Sequence, residues 1–161
     1  MRNEMTVLGI DPGYERLGVA VLEKIPGGRE RVLFSECFKT EASLDFPNRL
    51  LLVGQETERV IKKYKPSALA IENLFLNNNQ KTAMRVAEVR GTILYKAVES
   101  GLAVFEYSPP EIKAAVAGDG RADKKQMIKM VKMLIKLDNT KQSDDELDAI
   151  AVALTAIARI K

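Results

Sequence analysis

The feature that most constrains this chain is the run Gly9-Ile10-Asp11-Pro12-Gly13. An apolar strand leads into it from Met5, and a second apolar run, Leu17 to Leu22, follows at once. Pro12 fixes one backbone dihedral and Gly13 permits a tight reversal, so the chain must turn back directly after Asp11. A carboxylate is thereby held at the tip of a buried strand. Taken alone, an Asp-Pro-Gly turn needs no function, because Asp is a common turn residue.

The turns at Pro12-Gly13 and Pro26-Gly27-Gly28 divide the first forty residues into three strands, at about 5–11, 16–25 and 31–40. Loops this short predict an antiparallel meander. A helix over about 46–64 follows, with Asp45 as N-cap, Leu50, Val53, Val60 and Ile61 as its apolar face, and Pro66 as its stop. Residues 67–72 read as a buried strand with Glu72 at its tip. A long helix ends near 100, a strand spans 103–108, a short helix spans about 110–117, and helices at about 122–137 and 144–160 close the chain. Ala83, Ala87 and Gly91 form a small-residue stripe suited to close approach by another helix, within the chain or across a dimer. This order predicts an α/β fold with a mixed five-stranded sheet, three antiparallel strands then two parallel ones, flanked by helices. Residues 1–161 suit a single domain with a sizeable core.

There is no histidine, which excludes histidine bases, histidine metal ligands and Ser-His triads. Oxygen-only ligands favour Mg²⁺ or Mn²⁺ over zinc. The single cysteine, Cys37, cannot form an intramolecular disulfide, and its strand-like surroundings suggest a packing role. With no signal-like N-terminus and no apolar run of membrane-spanning length, the expectation is a cytoplasmic protein. The net charge of +3 lies wholly in the second half, which permits a nucleic-acid partner without requiring one.

Asp11 and Glu72 end the first and fourth strands. If those strands are neighbours, their C-terminal edges bring the two carboxylates together, where parallel sheets place ligands. A third acidic feature, Ser143-Asp144-Asp145-Glu146-Leu147-Asp148, opens the last helix. Capping and the helix dipole account for such a run without any function. Asp148 fits that account less well, because it lies beside the apolar stripe Leu147, Ile150, Ala151, Leu154 and is expected to be partly buried. Spacing places Asp148 on one face with either Asp144 or Asp145 and does not choose between them. Two carboxylates about 4 Å apart repel by roughly 4 kcal/mol at an effective dielectric near 20. Converging acids therefore need shared protons or divalent cations. Two Mg²⁺ ions are the simplest solution and fit in-line phosphoryl chemistry, one ion activating water and the other stabilising the leaving oxygen.

Gly9-Ile10-Asp11-Pro12-Gly13, Ile71-Glu72-Asn73-Leu74-Phe75 and Asp145-Glu146-Leu147-Asp148-Ala149 resemble, in order, the motifs of the RuvC crossover-junction endonucleases. Arg90-Gly91, Phe105-Glu106-Tyr107 and Ile112-Lys113 also look like that family, and the similarity runs from about residue 6 to 158. The resemblance implies an RNase H-like fold, a homodimer, Mg²⁺-dependent paired nicking of four-way (Holliday) DNA junctions in recombination and repair, and a branch-migration motor as a partner. It implies that Asp11, Glu72, Asp145 and Asp148 are metal-binding catalytic acids, selecting Asp145 over Asp144. It implies that Phe75 stacks on a junction base, and that Lys113 and Lys124 act near the scissile phosphate, with Arg121 and Lys125 beside the second. Arg16, near Asp11, is a further candidate for a phosphate contact. Lys125, Lys129, Lys132 and Lys136 form a helical stripe that reads as a solvated face. The Gly-Ile-Asp-Pro-Gly opening also resembles the YqgF-type nucleases of ribosomal RNA processing, and a module that binds branched DNA without cutting is the alternative of another class. A kinase-like or actin-like ATPase half shares the strand-Asp-Gly opening, but the chain is too short for two such lobes.

Overall fold

The computed structural model describes residues 4–73, 79–135, 137 and 141–161. Three strands come first, β1 (Thr6–Asp11), β2 (Arg16–Glu23) and β3 (Arg31–Lys39). Helix α1 (Phe46–Tyr64), strand β4 (Ala68–Glu72), helix α2 (Gln80–Glu99) and strand β5 (Ala103–Tyr107) follow. Helices α3 (Pro109–Ala117), α4 (Lys124–Leu134) and α5 (Asp144–Arg159) complete the chain. The sheet order is β3-β2-β1-β4-β5, with β1–β2 and β2–β3 antiparallel and β1–β4 and β4–β5 parallel. The expected mixed sheet is therefore present, and β1 and β4 are neighbours. Among the described residues no helix is long and apolar enough to cross a membrane.

Alternation along the strands splits the core into two layers. Leu8, Ile10, Val19, Val21, Leu69 and Ile71 face α1 and α2, with Val53, Val60, Val89 and Ile93 opposite them. Val7, Ala20, Leu22, Ala68 and Ala70 face the other way, against α5 with α3 and α4 around it. Ten residues of α5 are buried. The helix sits close because its contact with the sheet is made of small groups. A Cβ at Gly9 would run into the Ala149 carbonyl oxygen and would lie 2.7 Å from Ala153 Cβ. Gly9 thus belongs to the opening motif for a packing reason, whereas Gly13 serves the turn.

Helix ends follow the sequence cues. Asp45 caps α1 by accepting a hydrogen bond from Asn48 N at 3.1 Å. Lys65 closes the same helix in the left-handed region just before Pro66. Ser143 and Glu146 form a reciprocal capping box at the start of α5. Two expectations change. Helix α4 stops at Leu134, short of 137, and Ile135 is already extended and fully buried. The Ala83-Ala87-Gly91 stripe is not the seam between α1 and α2: Gly91 is exposed with no neighbouring atom over it, whereas Gly54 of α1 lies against the Thr92 methyl. Gly54, with no side chain of its own, is what lets the two helices close.

Candidate active site

Asp11 and Glu72 project from the ends of adjacent parallel strands, on the face that receives α5. Their carboxyls interact directly, each shifting the titration of the other. Register extends the row across the sheet, since Asp11 pairs with Gly18 and Gly18 pairs with Cys37. The first turns of α5 rest on this row. A Cβ at Gly18 would run into the Asp145 carbonyl oxygen and meet Asp11 Cβ at 3.1 Å. Glu146 anchors the helix start from the other side, accepting from Ser35 Oγ at 2.9 Å and from Ser143 N at 2.7 Å.

Electrostatics record the crowding. Asp11 is pushed up to about 8, first by burial, then by repulsion from Glu72, Asp148 and Asp145. Glu72 is raised by burial and by Asp148, against opposing help from the Asp11 hydrogen bond, Lys113 and Arg90. Asp148 is exposed, more open than the expected partial burial, although Leu147 and Ala149 on either side of it are buried. Its carboxyl is still raised, led by desolvation among the surrounding atoms and opposed by Lys124. Asp145 and Asp148 are the α5 acids that act on Asp11. Asp144 points outward to Lys124 Nζ at 2.8 Å and remains exposed, as capping and dipole alone would have it.

The remaining side chains fall into three groups. Lys113 is half-buried and, with Lys124, Glu72 and Asp148, lines the mouth of a cavity of about 220 Å³ whose floor is Ile112, Met127, Ile128, Val131 and Leu147. Arg121 and Lys125 are exposed near α4, as are Lys129 and Lys132. Phe75 and Lys136 lie outside the described residues. Arg90 ties the Arg90-Gly91 and Phe105-Glu106-Tyr107 segments to the Glu72 motif: its Nε donates to the Glu72 carbonyl at 3.0 Å and its guanidinium pairs with Glu106. It fastens the end of β4 where Glu72 must be held.

Two contacts of Asp145 escaped sequence reasoning. Arg16, suspected only of a phosphate contact, places Nη2 2.8 Å from Asp145 Oδ2. Cys37, expected only to pack, places Sγ 3.5 Å from the same oxygen. The antiparallel register of β1, β2 and β3 was the one available signal, because it puts the start of β2 and the end of β3 beside Asp11.

Residues 7–156 match the family model described as crossover junction endodeoxyribonuclease RuvC. The chain belongs to the RuvC family. Of the two nuclease families weighed above, this sets the YqgF-type alternative aside. The curated RuvC of Desulfitobacterium hafniense is 43% identical over 150 residues, covering 93% of this chain and 90% of that protein. The RuvC of Thermosipho melanesiensis is 44% identical over 149 residues, covering 92% and 94%. Among solved structures, Thermus thermophilus RuvC in complex with Holliday junction substrate superposes with a TM-score of 0.88 at 31% identity, covering 95% of this chain and 93% of that one. The fold is the RNase H-like fold of the RuvC nucleases, and the chain is a hydrolase of that class.

The donor set agrees with the metal dependence of RuvC nucleases. Asp11, Glu72, Asp145 and Asp148 supply oxygen only, and burial followed by repulsion from the other three raises the Asp11 carboxyl, a setting in which a divalent cation would favour the ionised form. As placed, no three described acids are gathered tightly enough to enclose an ion, and Asp145 is turned toward Arg16.

Proposed function

We propose that this chain resolves four-way DNA junctions by hydrolysing one phosphodiester in each of two opposed strands, with Asp11, Glu72, Asp145 and Asp148 as the catalytic acids. The observation that carries this is the convergence of acids from β1, β4 and α5 at one sheet edge, where burial first and their mutual repulsion second lift Asp11 to about 8. These four residues would hold two Mg²⁺, with Mn²⁺ as a substitute. When bound, the ions supply charge neutralisation at the phosphate and a more acidic water. Residues 1–161 act as one nuclease domain in the cytoplasm, where the junctions of recombination and repair arise.

The chain's own part is positioning and charge. Gly9 and Gly18 let α5 deliver Asp145 and Asp148 to the strand tips. Arg90 fixes Glu72 through its backbone. Lys113 and Lys124 flank the acids and would bind the oxygens of the scissile phosphate, with Arg121 and Lys125 further along the strand and Phe75 stacked on a junction base. The products would be a 5′-phosphate and a 3′-hydroxyl.

A two-fold junction calls for two identical sites, hence a homodimer. Helix α2 offers a surface for it: Met84, Tyr95 and Val98 share one face with the open Gly91, and the three side chains are 65%, 65% and 63% exposed. A branch-migration motor would deliver the junction. The deciding experiment is a nicking assay on a synthetic four-way junction with and without Mg²⁺. Paired symmetric nicks that require the cation support the proposal. Tight junction binding with no cleavage under any divalent cation would establish the non-cleaving alternative.

A further inference from the structure

Arg16 is the first residue of β2 and stands at the same end of the sheet as the tip of β1. Its Nη2 lies 2.8 Å from Asp145 Oδ2, and the Cys37 thiol donates to that oxygen at 3.5 Å. The row Asp11, Gly18, Cys37 crosses three strands, and the Asp145 backbone stands over Gly18 in its middle. The Asp145 carboxylate can therefore lean toward Asp11 or toward Arg16 and Cys37. It takes the second course. Among the described residues no three acids are then close enough to hold an ion.

The arrangement has a physical cause. Asp11, Glu72 and Asp148 already repel one another, and a fourth carboxylate is stabilised by turning to a guanidinium. Arg16 is 55% exposed, so a backbone phosphate of bound DNA can reach it. A phosphate is a stronger partner than one carboxylate oxygen, because it accepts two parallel hydrogen bonds from the guanidinium fork. Lys124 and Asp144 form a superficially similar pair at 2.8 Å, but Asp144 is not among the acids acting on Asp11.

We propose that Arg16 is a positioning residue that holds Asp145 away from the other acids until a DNA phosphate takes its guanidinium, so that DNA and divalent cations strengthen each other's binding. This rests on Asp145 being a cation ligand, as proposed above. Linkage makes the effect reciprocal: DNA tightens the cation as much as the cation tightens DNA.

The test uses the full chain and Ca²⁺ as an oxygen-seeking probe. Calorimetric titration of the DNA-free protein gives the cation affinity of wild type, R16A, D145N and the double variant. Removing Arg16 should tighten Ca²⁺ binding by about tenfold, within the usual range of such couplings. That gain should vanish in the D145N background, because Arg16 acts through Asp145. Fluorescence anisotropy on a labelled four-way junction, checked intact on a denaturing gel, then gives the DNA affinity with and without Ca²⁺. Wild type should show a larger strengthening by Ca²⁺ than R16A. R16K, which keeps the charge but loses the fork, should fall between them, and it replaces R16A if the alanine variant fails to fold. If R16A gains equally with and without D145N, Arg16 acts only as a bulk charge and the proposal is overturned. If R16A changes nothing while D145N weakens Ca²⁺ binding, Asp145 remains a ligand and the Arg16 device is rejected. If D145N leaves Ca²⁺ affinity unchanged even in the R16A background, where Asp145 is free to turn, both assignments fall.

Discussion

Gly18 lies directly beneath the backbone of Asp145, so closely that a single added methyl would run into the Asp145 carbonyl oxygen. One strand glycine therefore sets how near the α5 acids come to Asp11. Gly18→Ala should destabilise the fold by about 1–3 kcal/mol, the usual range for overpacking. The expected readout is a lower thermal midpoint together with weaker divalent-cation binding at permissive temperature. Unchanged values of both would mean that α5 is not seated as described.

Removing the carboxyl at the strand tip should separate binding from cutting. Asp11→Asn is nearly isosteric and leaves Lys113 and Lys124 in place. Nicking of a four-way junction should fall below detection while the junction dissociation constant stays within about threefold, a change of under 1 kcal/mol. A variant that still cuts would take Asp11 out of the mechanism.

The raised acids make stability depend on pH. The unfolded Asp11 loses its proton near 3.8, while the folded one keeps it to about 8. Within that window the unfolded chain has already released a proton that the folded chain retains, so metal-free stability should decline as pH climbs from about 4 to about 8. Glu36 contributes in the same direction, raised to about 8 by burial and by Glu56 on α1, with Arg59 opposing. The two contributions can be told apart in chemical denaturation series. Asp11→Asn should remove a part of the decline that Mg²⁺ also removes, and Glu36→Gln a part that Mg²⁺ leaves alone. A flat profile in wild type would contradict both assignments.

Lys124 is exposed and paired with an exposed acid, a kind of pair that contributes little to stability. Lys124→Ala should therefore leave the melting temperature nearly unchanged. If Lys124 contacts a phosphate, the same variant should reduce the slope of log affinity against log salt by about 0.9. An unaltered salt slope would remove it from the DNA interface.

Tyr95 lies on the exposed face of α2, between Gly91 and Val98. Tyr95→Glu should shift the protein toward monomer in sedimentation velocity and convert paired nicks into uncoupled single ones. A variant that remains dimeric would place the two-fold axis elsewhere.

The sequence by itself determined the elements and the kind of chemistry. Short Pro-Gly turns dictate the meander, Asp45 and Ser143 start their helices, and Pro66 ends α1, because each acts over a few residues of backbone. The want of histidine confines the site to oxygen ligands, and Asp11 and Glu72 announce themselves as acids on strand tips. Tertiary structure alone decided that Asp145 rather than Asp144 acts on Asp11, that Asp148 stays open to solvent, and that Arg16 and Cys37 reach Asp145. Those contacts join residues more than a hundred positions apart, as in Cys37 with Asp145 and Ser35 with Glu146. No local preference encodes them. They follow from the depth to which α5 settles on Gly9 and Gly18, a property of packed surfaces that exists only once the sheet is formed.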